Sequence, residues 1–325
     1  MRVPYPANEF ARQRDLDSYR ITDTEPEESF DRIVRLAGAM TEMPVAMISL
    51  VDNERQWFKA SQGIAHRETP REHSLCAHAI CGDEVMVVEN AREDPRFADN
   101  PLVTEDGGIR FYAGAPLKSP RGNNLGTLCV IDRVPRRMDK RAQDLLRDMA
   151  ALVVSELELR KAAGMDGLTQ LFNRRFIDEL AQREFSRARR AHIPFTAALL
   201  DIDKFKAIND TFGHAVGDNV LRAVAQSLTN SLRDHDLLGR YGGEEFVLLM
   251  PGVSQQQAMP ILERVRRNVS TLAVPDLTDR RRLTISIGAA EMERADLNVG
   301  SILLRADRAL YRAKESGRDR VEAAA

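Results

Sequence analysis

The stretch Arg240-Tyr241-Gly242-Gly243-Glu244-Glu245-Phe246 decides how the second half of the chain is read. It separates two short apolar runs, Asp236 to Tyr241 and Phe246 to Met250, and two strands around Gly-Gly are a hairpin signal. Glu244 and Glu245 then sit in the turn, at the end of a sheet where a ligand can reach them. Upstream, the apolar run Phe195 to Leu200 reads as a buried strand that stops at Asp201, a third carboxylate at a strand end. Acids so placed invite hard cations, and magnesium takes one or two carboxylates together with phosphate oxygens. Without a cation, a carboxylate about 4 Å from a phosphate charge is repelled by about 4 kcal/mol at an effective dielectric of about 20. A nucleotide site here requires divalent ions.

An isolated Glu-Glu pair in a turn is ordinarily just solvated. Here other motifs stand in order around it. Arg240 to Phe246 resembles the signature loop of the GGDEF family, the diguanylate cyclases, in its GGEEF form. Asp166-Gly167-Leu168-Thr169-Gln170-Leu171-Phe172-Asn173-Arg174-Arg175 is similar to that family's D-x-L-T-x-L-x-N-R-R entry. Asp201-Ile202-Asp203-Lys204-Phe205-Lys206 resembles D-I-D-x-F-K, and the run from Asn209-Asp210 through Gly213-His214 to Gly217-Asp218 resembles N-D-x-x-G-H-x-x-G-D. The segment Ala306 to Arg318 is similar to the family's last helix, so the five motifs cover nearly all of residues 165 to 322.

The resemblance implies an attack of one GTP 3'-hydroxyl on the α-phosphate of another, with loss of pyrophosphate, repeated to close cyclic di-GMP. It implies two Mg²⁺, with Mn²⁺ as an admissible substitute, held by Asp201, the Ile202 carbonyl and Glu244. Glu245 is a further ligand or helps deprotonate the hydroxyl, so the division of roles between Glu244 and Glu245 stays open. Asn209 and Asp218 read guanine, Asp218 accepting from the ring N–H and amino group, a pattern adenine does not supply. Lys206, Lys314 and Arg318 bind the β- and γ-phosphates with backbone N–H groups near Phe205 at a helix start. Gly242 and Gly243 let the hairpin backbone approach the nucleotide with no Cβ in the way. Asp203 is either a cap for the helix from Lys204 or part of the site. Arg233-Asp234-His235-Asp236 fits the family's R-x-x-D inhibitory site, with Arg264 or Arg266 completing it from a second surface. Each domain takes one GTP, so activity depends on a homodimer, held through the N-terminal half and the helix that leaves it. The competing readings are a non-catalytic receptor for GTP or cyclic di-GMP, and a cyclase with an adenine-containing product. Intact acids argue against the first, Asn209 and Asp218 against the second.

In the first half, a helix is expected from Phe30 and strands at Val45 to Val51, Gln56 to Ala60, Val85 to Glu89, Phe111 to Leu117 and Leu125 to Asp132. Trp57-Phe58-Lys59-Ala60, the segment Ile109 to Leu117 and the segment Gly126 to Asp132 resemble a GAF domain, which implies the fold and leaves any small-molecule ligand undetermined. His73, Cys76, His78 and Cys81 offer four soft ligands. On a helix Cys76 and Cys81 lie about 140° apart, so they do not converge on one metal and read as ordinary buried thiols. From Asp139 to about Lys161 there is neither proline nor glycine. Leu145, Met149, Leu152, Glu156 and Leu159 suit a parallel coiled coil, and a second stripe, Leu146, Ala150, Val153 and Leu157, fits nearly as well, leaving the register open.

Length and composition agree. At 325 residues the chain suits two domains, and 43% hydrophobic with 30% charged residues describes a folded, water-soluble chain. A formal net charge of -2 removes the broad argument for nucleic-acid or anionic-membrane binding. Three cysteines make no disulfide framework. No apolar run approaches the roughly 20 residues of a membrane span, and no apolar segment follows the first charges, so a cytoplasmic location is expected. The expected division is an N-terminal arm over 1–27, a GAF sensor over 28–138, a signalling helix over 139–164 and a GGDEF domain over 165–325. The expected class is α+β: an antiparallel GAF-like sheet with flanking helices, a coiled-coil linker, and an α/β domain like the nucleotidyl cyclase palm.

Overall fold

Val45–Val51 carries no charge and is buried at every position, as a central strand covered on both faces requires. It is β1 of the first of two units, Met1–Ala162 and Ala163–Ala325, in a computed structural model that describes residues 3–233, 235–275, 277 and 283–324. With β2 (Arg55–Gln62), β3 (Glu68–Pro70), β4 (Met86–Val88), β5 (Phe111–Lys118) and β6 (Asn124–Asp132) it forms an antiparallel sheet in the order β3-β2-β1-β6-β5-β4. A Cβ on Gly126 would fall 1.9 Å from the Ser49 carbonyl, so only glycine lets β6 close on β1 there.

One face of this sheet is covered by α1 (Glu9–Ser18), α2 (Glu28–Thr41) and α5 (Lys140–Ala163). The other is covered by two short helices, α3 (Leu75–Ala79) and α4 (Pro101–Thr104), and the loops around them. In α2, Phe30, Val34, Ala37 and Gly38 are buried at helical spacing, while Leu36 and Met40 are exposed.

Two expectations change here. The segment read as a polar arm carries α1, and Leu16, Tyr19 and Ile21 lie in the core cluster. Its polar residues are buried in pairs: Arg12 is fully buried, bonds Glu9 at 2.8 and 2.9 Å, and donates to the Leu125 carbonyl at 3.4 Å. The helix read as a coiled-coil linker also packs along its own sheet. The second stripe, Leu146, Ala150, Val153 and Leu157, lies in the core together with Met149 of the first, so it is the second stripe that packs within the chain. Leu152 and Leu159, from the first stripe, are 58% and 66% exposed.

The second unit is built on β7 (Phe195–Ile202), β8 (Leu237–Arg240), β9 (Glu245–Pro251), β10 (Ile285–Glu291) and β11 (Val321–Ala323), in the order β11-β10-β7-β9-β8. All neighbours are antiparallel except β10 and β11. Helices α8 (His214–Asn230) and α9 (Gln255–Ser270) cover one face, with α7 (Phe205–Phe212) beside α8; α6 (Arg174–Ala191) and α10 (Val299–Glu315) cover the other. A Cβ on Gly288 of β10 would lie 2.1 Å from the Leu310 nitrogen and 2.2 Å from the Ala306 carbonyl. That glycine lets α10 press against the sheet and sets the height of everything α10 carries.

Candidate active site

β7 is buried throughout and delivers Asp201 and Ile202 at its end. Strand register sets Glu245 opposite Asp201 on β9 and Ser286 opposite it on β10. The hairpin closes as Tyr241 N and Gly242 N both donate to the Glu245 carbonyl, at 2.8 and 3.2 Å, and Ile202 N donates to the Glu244 carbonyl at 3.3 Å. Burial pushes the Glu244 carboxyl up, and the nearby Asp201 charge pushes it further. Burial likewise raises Asp201, only partly offset by Lys314, whose Nζ lies 2.7 Å from Oδ2. Two carboxylates that repel one another at a strand end form a set of hard oxygen donors. Among the described residues no group of three or more His, Cys, Asp or Glu could hold a metal ion, which leaves a main-chain carbonyl such as that of Ile202 to complete a set. The donors present fit a divalent cation.

The glycines of the turn differ in use. A Cβ on Gly242 would meet Glu245 Oε2 at 2.4 Å, whereas nothing lies within 4 Å of one on Gly243. Sequence reasoning missed Arg240 as the residue that ties this turn down. It donates to the Gly243 carbonyl at 2.7 Å and to both oxygens of Asp166 at 3.2 and 3.3 Å. Asp166 also accepts from Thr169 N and its hydroxyl, at 2.8 and 2.7 Å.

Asp203 is not a helix cap. The N-cap of α7 is Lys204, at φ 58 and with no capping side chain. The Asp203 carboxylate instead accepts from the Thr284 and Ser286 hydroxyls, each at 2.7 Å, and from Asp319 N at 3.1 Å. It therefore fixes the turn just after α10 in which Arg318 adopts φ 64, with its N–H on the Ala313 carbonyl. Arg318 and Lys314 both act electrostatically on Asp201. Lys206 is exposed in the first turn of α7, beside the buried Phe205. A Cβ on Gly217 would fall 1.9 Å from Asn209 Oδ1, so glycine is needed for the Asn209 amide to lie against α8, at the residue that precedes Asp218 in the chain.

Residues 163–320 match the family described as diguanylate cyclase, GGDEF domain, and residues 25–157 match the GAF domain. The response regulator PleD of Caulobacter vibrioides is 32% identical over 348 residues, covering 96% of this chain and 74% of that protein. The chain belongs to the GGDEF family. A cyclic di-GMP phosphodiesterase of Pseudomonas aeruginosa is 36% identical over 266 residues, and the chain spans only 45% of its length; it spans 43% of a probable diguanylate cyclase of Escherichia coli, at 40% identity. Among solved structures, the coiled coil and GGDEF domain of DgcB from Caulobacter crescentus, in complex with cyclic di-GMP, superposes with a TM-score of 0.53 at 34% identity, covering 57% of this chain and 97% of that one. Diguanylate cyclase SiaD of Pseudomonas aeruginosa, in complex with its activator SiaC, gives 0.50 at 42% identity, covering 57% and 68%.

The GGDEF family is metal-dependent, in keeping with the donors at the end of β7. In the GGDEF unit Asp236 Oδ2 accepts from Arg233 N at 3.0 Å; Asp234 lies outside the described residues. Arg264 donates to the Ser231 carbonyl, two residues before Arg233, at 2.9 Å. Arg266 is committed elsewhere, to Glu263 at 2.7 Å and to Asp319. In the GAF unit the soft ligands do not converge. Cys81 is exposed, contrary to its reading as a buried thiol, and Cys76 is buried beside Cys129. No helix among the described residues is long and apolar enough to cross a membrane.

Proposed function

We propose that this protein is a diguanylate cyclase, condensing two GTP into cyclic di-GMP with release of two pyrophosphates. The observation that carries the proposal is the pair of like-charged neighbours Asp201 and Glu244, each raised by burial, with Lys314 set against Asp201. Asp201, the Ile202 carbonyl and Glu244 would hold two Mg²⁺, for which Mn²⁺ can substitute. When bound, the cations supply neutralisation of α-phosphate charge and activation of the 3'-hydroxyl. Glu245, exposed at the start of β9, adds a ligand or takes the hydroxyl proton. Lys314 and Arg318 bind the β- and γ-phosphates together with Lys206 and the uncapped start of α7 at Phe205. Asn209 and Asp218 hold guanine by its amide edge.

Each GGDEF unit takes one GTP, so turnover requires two chains. The outward Leu152 and Leu159 of α5, spaced one heptad apart, suit a second copy of the same helix, and Leu36 and Met40 of α2 extend the apolar surface of the GAF unit. Signals from the GAF unit, whose ligand class is unassigned, then reach the catalytic unit through α5. Product feeds back at Arg233, Asp236 and Arg264. A non-catalytic receptor is the second reading, and the intact Asp201, Glu244 and Glu245 favour turnover. The test is incubation of the full chain with GTP and Mg²⁺ and chromatography of the product. Cyclic di-GMP supports the proposal, and its absence at every protein concentration overturns it.

A further inference from the structure

The GAF unit holds a second chemical cluster, remote in kind from nucleotide chemistry. Cys76 comes from α3 and Cys129 from β6, and their sulfurs are 3.8 Å apart in the core, with the residues only 2% and 0% exposed. The Tyr112 hydroxyl donates to Cys76 Sγ at 3.4 Å. It reaches the sulfur by lying over Gly114, where a Cβ would come within 2.1 Å of that hydroxyl oxygen. Ser49 and Thr127 face each other across β1 and β6, and their buried hydroxyls have no ordinary hydrogen-bond partner.

Buried hydroxyls without partners are costly, and a neutral thiol is a weak acceptor. A thiolate is a strong one. The hydrogen bond from Cys129, opposed by burial and joined by Thr127, Tyr112 and Ser49, lowers the Cys76 pKa. The same contact with Cys76, together with burial, holds Cys129 protonated. The two sulfurs are therefore unequal: one is prepared to attack and the other carries a proton to give away. Nothing in the nucleotide chemistry uses either.

We propose that Cys76 and Cys129 form a modification site for hydroperoxides, at which oxidation closes an intrachain disulfide. In the first step the Cys76 sulfur attacks the terminal peroxide oxygen, the O–O bond breaks, and the departing alkoxide takes a proton from solvent to leave as an alcohol, or as water from hydrogen peroxide. Cys76 is now a sulfenic acid. In the second step the Cys129 sulfur attacks Cys76 Sγ, the S–O bond breaks, and the hydroxyl leaves as water with the Cys129 proton. Two thiols lose two electrons and the hydroperoxide gains them. Entry is through α3, a helix of only five residues, whose opening costs far less than parting the central strands. Closure from 3.8 Å to a bond of about 2.05 Å draws α3 and β6 together by under roughly 2 Å, a change of packing inside the sensor's core. The site stands apart from the cyclase proposal, because it needs no turnover.

The experiment is peptide mapping of the full chain. Reduced protein is treated with hydrogen peroxide, alkylated in denaturant, digested and analysed by mass spectrometry. The expected result is a link between the Cys76 and Cys129 peptides with loss of two hydrogens, reversed by dithiothreitol, while Cys81 is alkylated. Cys81→Ser is expected to form the same link, and Cys129→Ser to trap a dimedone-reactive sulfenic acid at Cys76. Full alkylation of Cys76 and Cys129 after peroxide, or a disulfide that involves Cys81, overturns the proposal. Since the decisive map uses wild-type protein, it stands even where the Cys129 variant does not fold.

Discussion

Lys314 Nζ lies 2.7 Å from Asp201 Oδ2, so the ammonium supplied by the last long helix neutralises the acid supplied by the central strand. Asp201 is 6% exposed and has Glu244 as a neighbour of like charge. The lysine is then a counter-ion where the proposed chemistry places a cation. Under the proposed chemistry, divalent ions and Lys314 would compete for one carboxylate, and a nucleotide phosphate would give the displaced ammonium somewhere to go.

Glu244→Gln removes one of the two repelling carboxylates. Turnover is expected to fall by roughly 100-fold or more, equivalent to about 3 kcal/mol of lost transition-state stabilisation. The melting temperature in EDTA should hold or rise, because a turn acid with a raised pKa supplies no core and its charge is unfavourable at neutral pH. Calorimetry beside a turnover assay checks both. A large drop in melting temperature would contradict this account of the site.

Gly288→Ala tests how α10 is held. The new methyl would meet main-chain atoms at 2.1 and 2.2 Å, which no side-chain rotation relieves. The expected cost is about 3 kcal/mol, read by denaturant unfolding. Activity in the surviving folded fraction should also fall, since Lys314 rides on the displaced helix.

Glu9 gives the GAF unit a pH dependence. Burial opposes its ionisation, but hydrogen bonds from Arg12, Arg71 and Gln13 lower the pKa from 4.5 to about 2. A lowered folded-state pKa contributes stability that is fully present above about 4.5 and is lost as pH falls towards about 2. Wild type should therefore exceed Glu9→Gln in stability at pH 7, and the gap should close across that window. Trp57, the only tryptophan, is buried in the same core as Leu16 and reports the transition by fluorescence.

The outward stripe on α5 is tested by Leu152→Glu combined with Leu159→Glu. Both positions are exposed within one chain, so the monomer's fold should survive. Sedimentation should show loss of the proposed dimer, and turnover per chain should fall with it.

Much of this was readable in the sequence, and the exceptions have physical causes. The β8–β9 hairpin was legible because glycines and turn acids interrupt two apolar runs. Asp201 was legible because it ends a strand buried at every position. α1 was not, because Arg12, Gln13 and Asp15 are buried through pairing with Glu9, Asn123 and Ser119, which no hydropathy pattern records. α6 escaped for a similar reason: its buried Phe176, Ile177, Leu180 and Phe185 are diluted by arginines on the other face. Which stripe of α5 packs within the chain needed the sheet, since two stripes of nearly equal quality compete until one meets a partner. Arg240 and Asp203 act through contacts 74 and 116 residues away along the chain, with Asp166 and Asp319, and such pairs leave no local pattern.

The most direct measurement is the stoichiometry of products from the full chain supplied with GTP, with and without a divalent cation, over a range of protein concentrations. One cyclic di-GMP for every two pyrophosphates, strictly cation-dependent and with a rate per chain that rises with concentration, is the predicted result. Pyrophosphate release without cyclic di-GMP, or GTP binding with no turnover at any concentration, would contradict it.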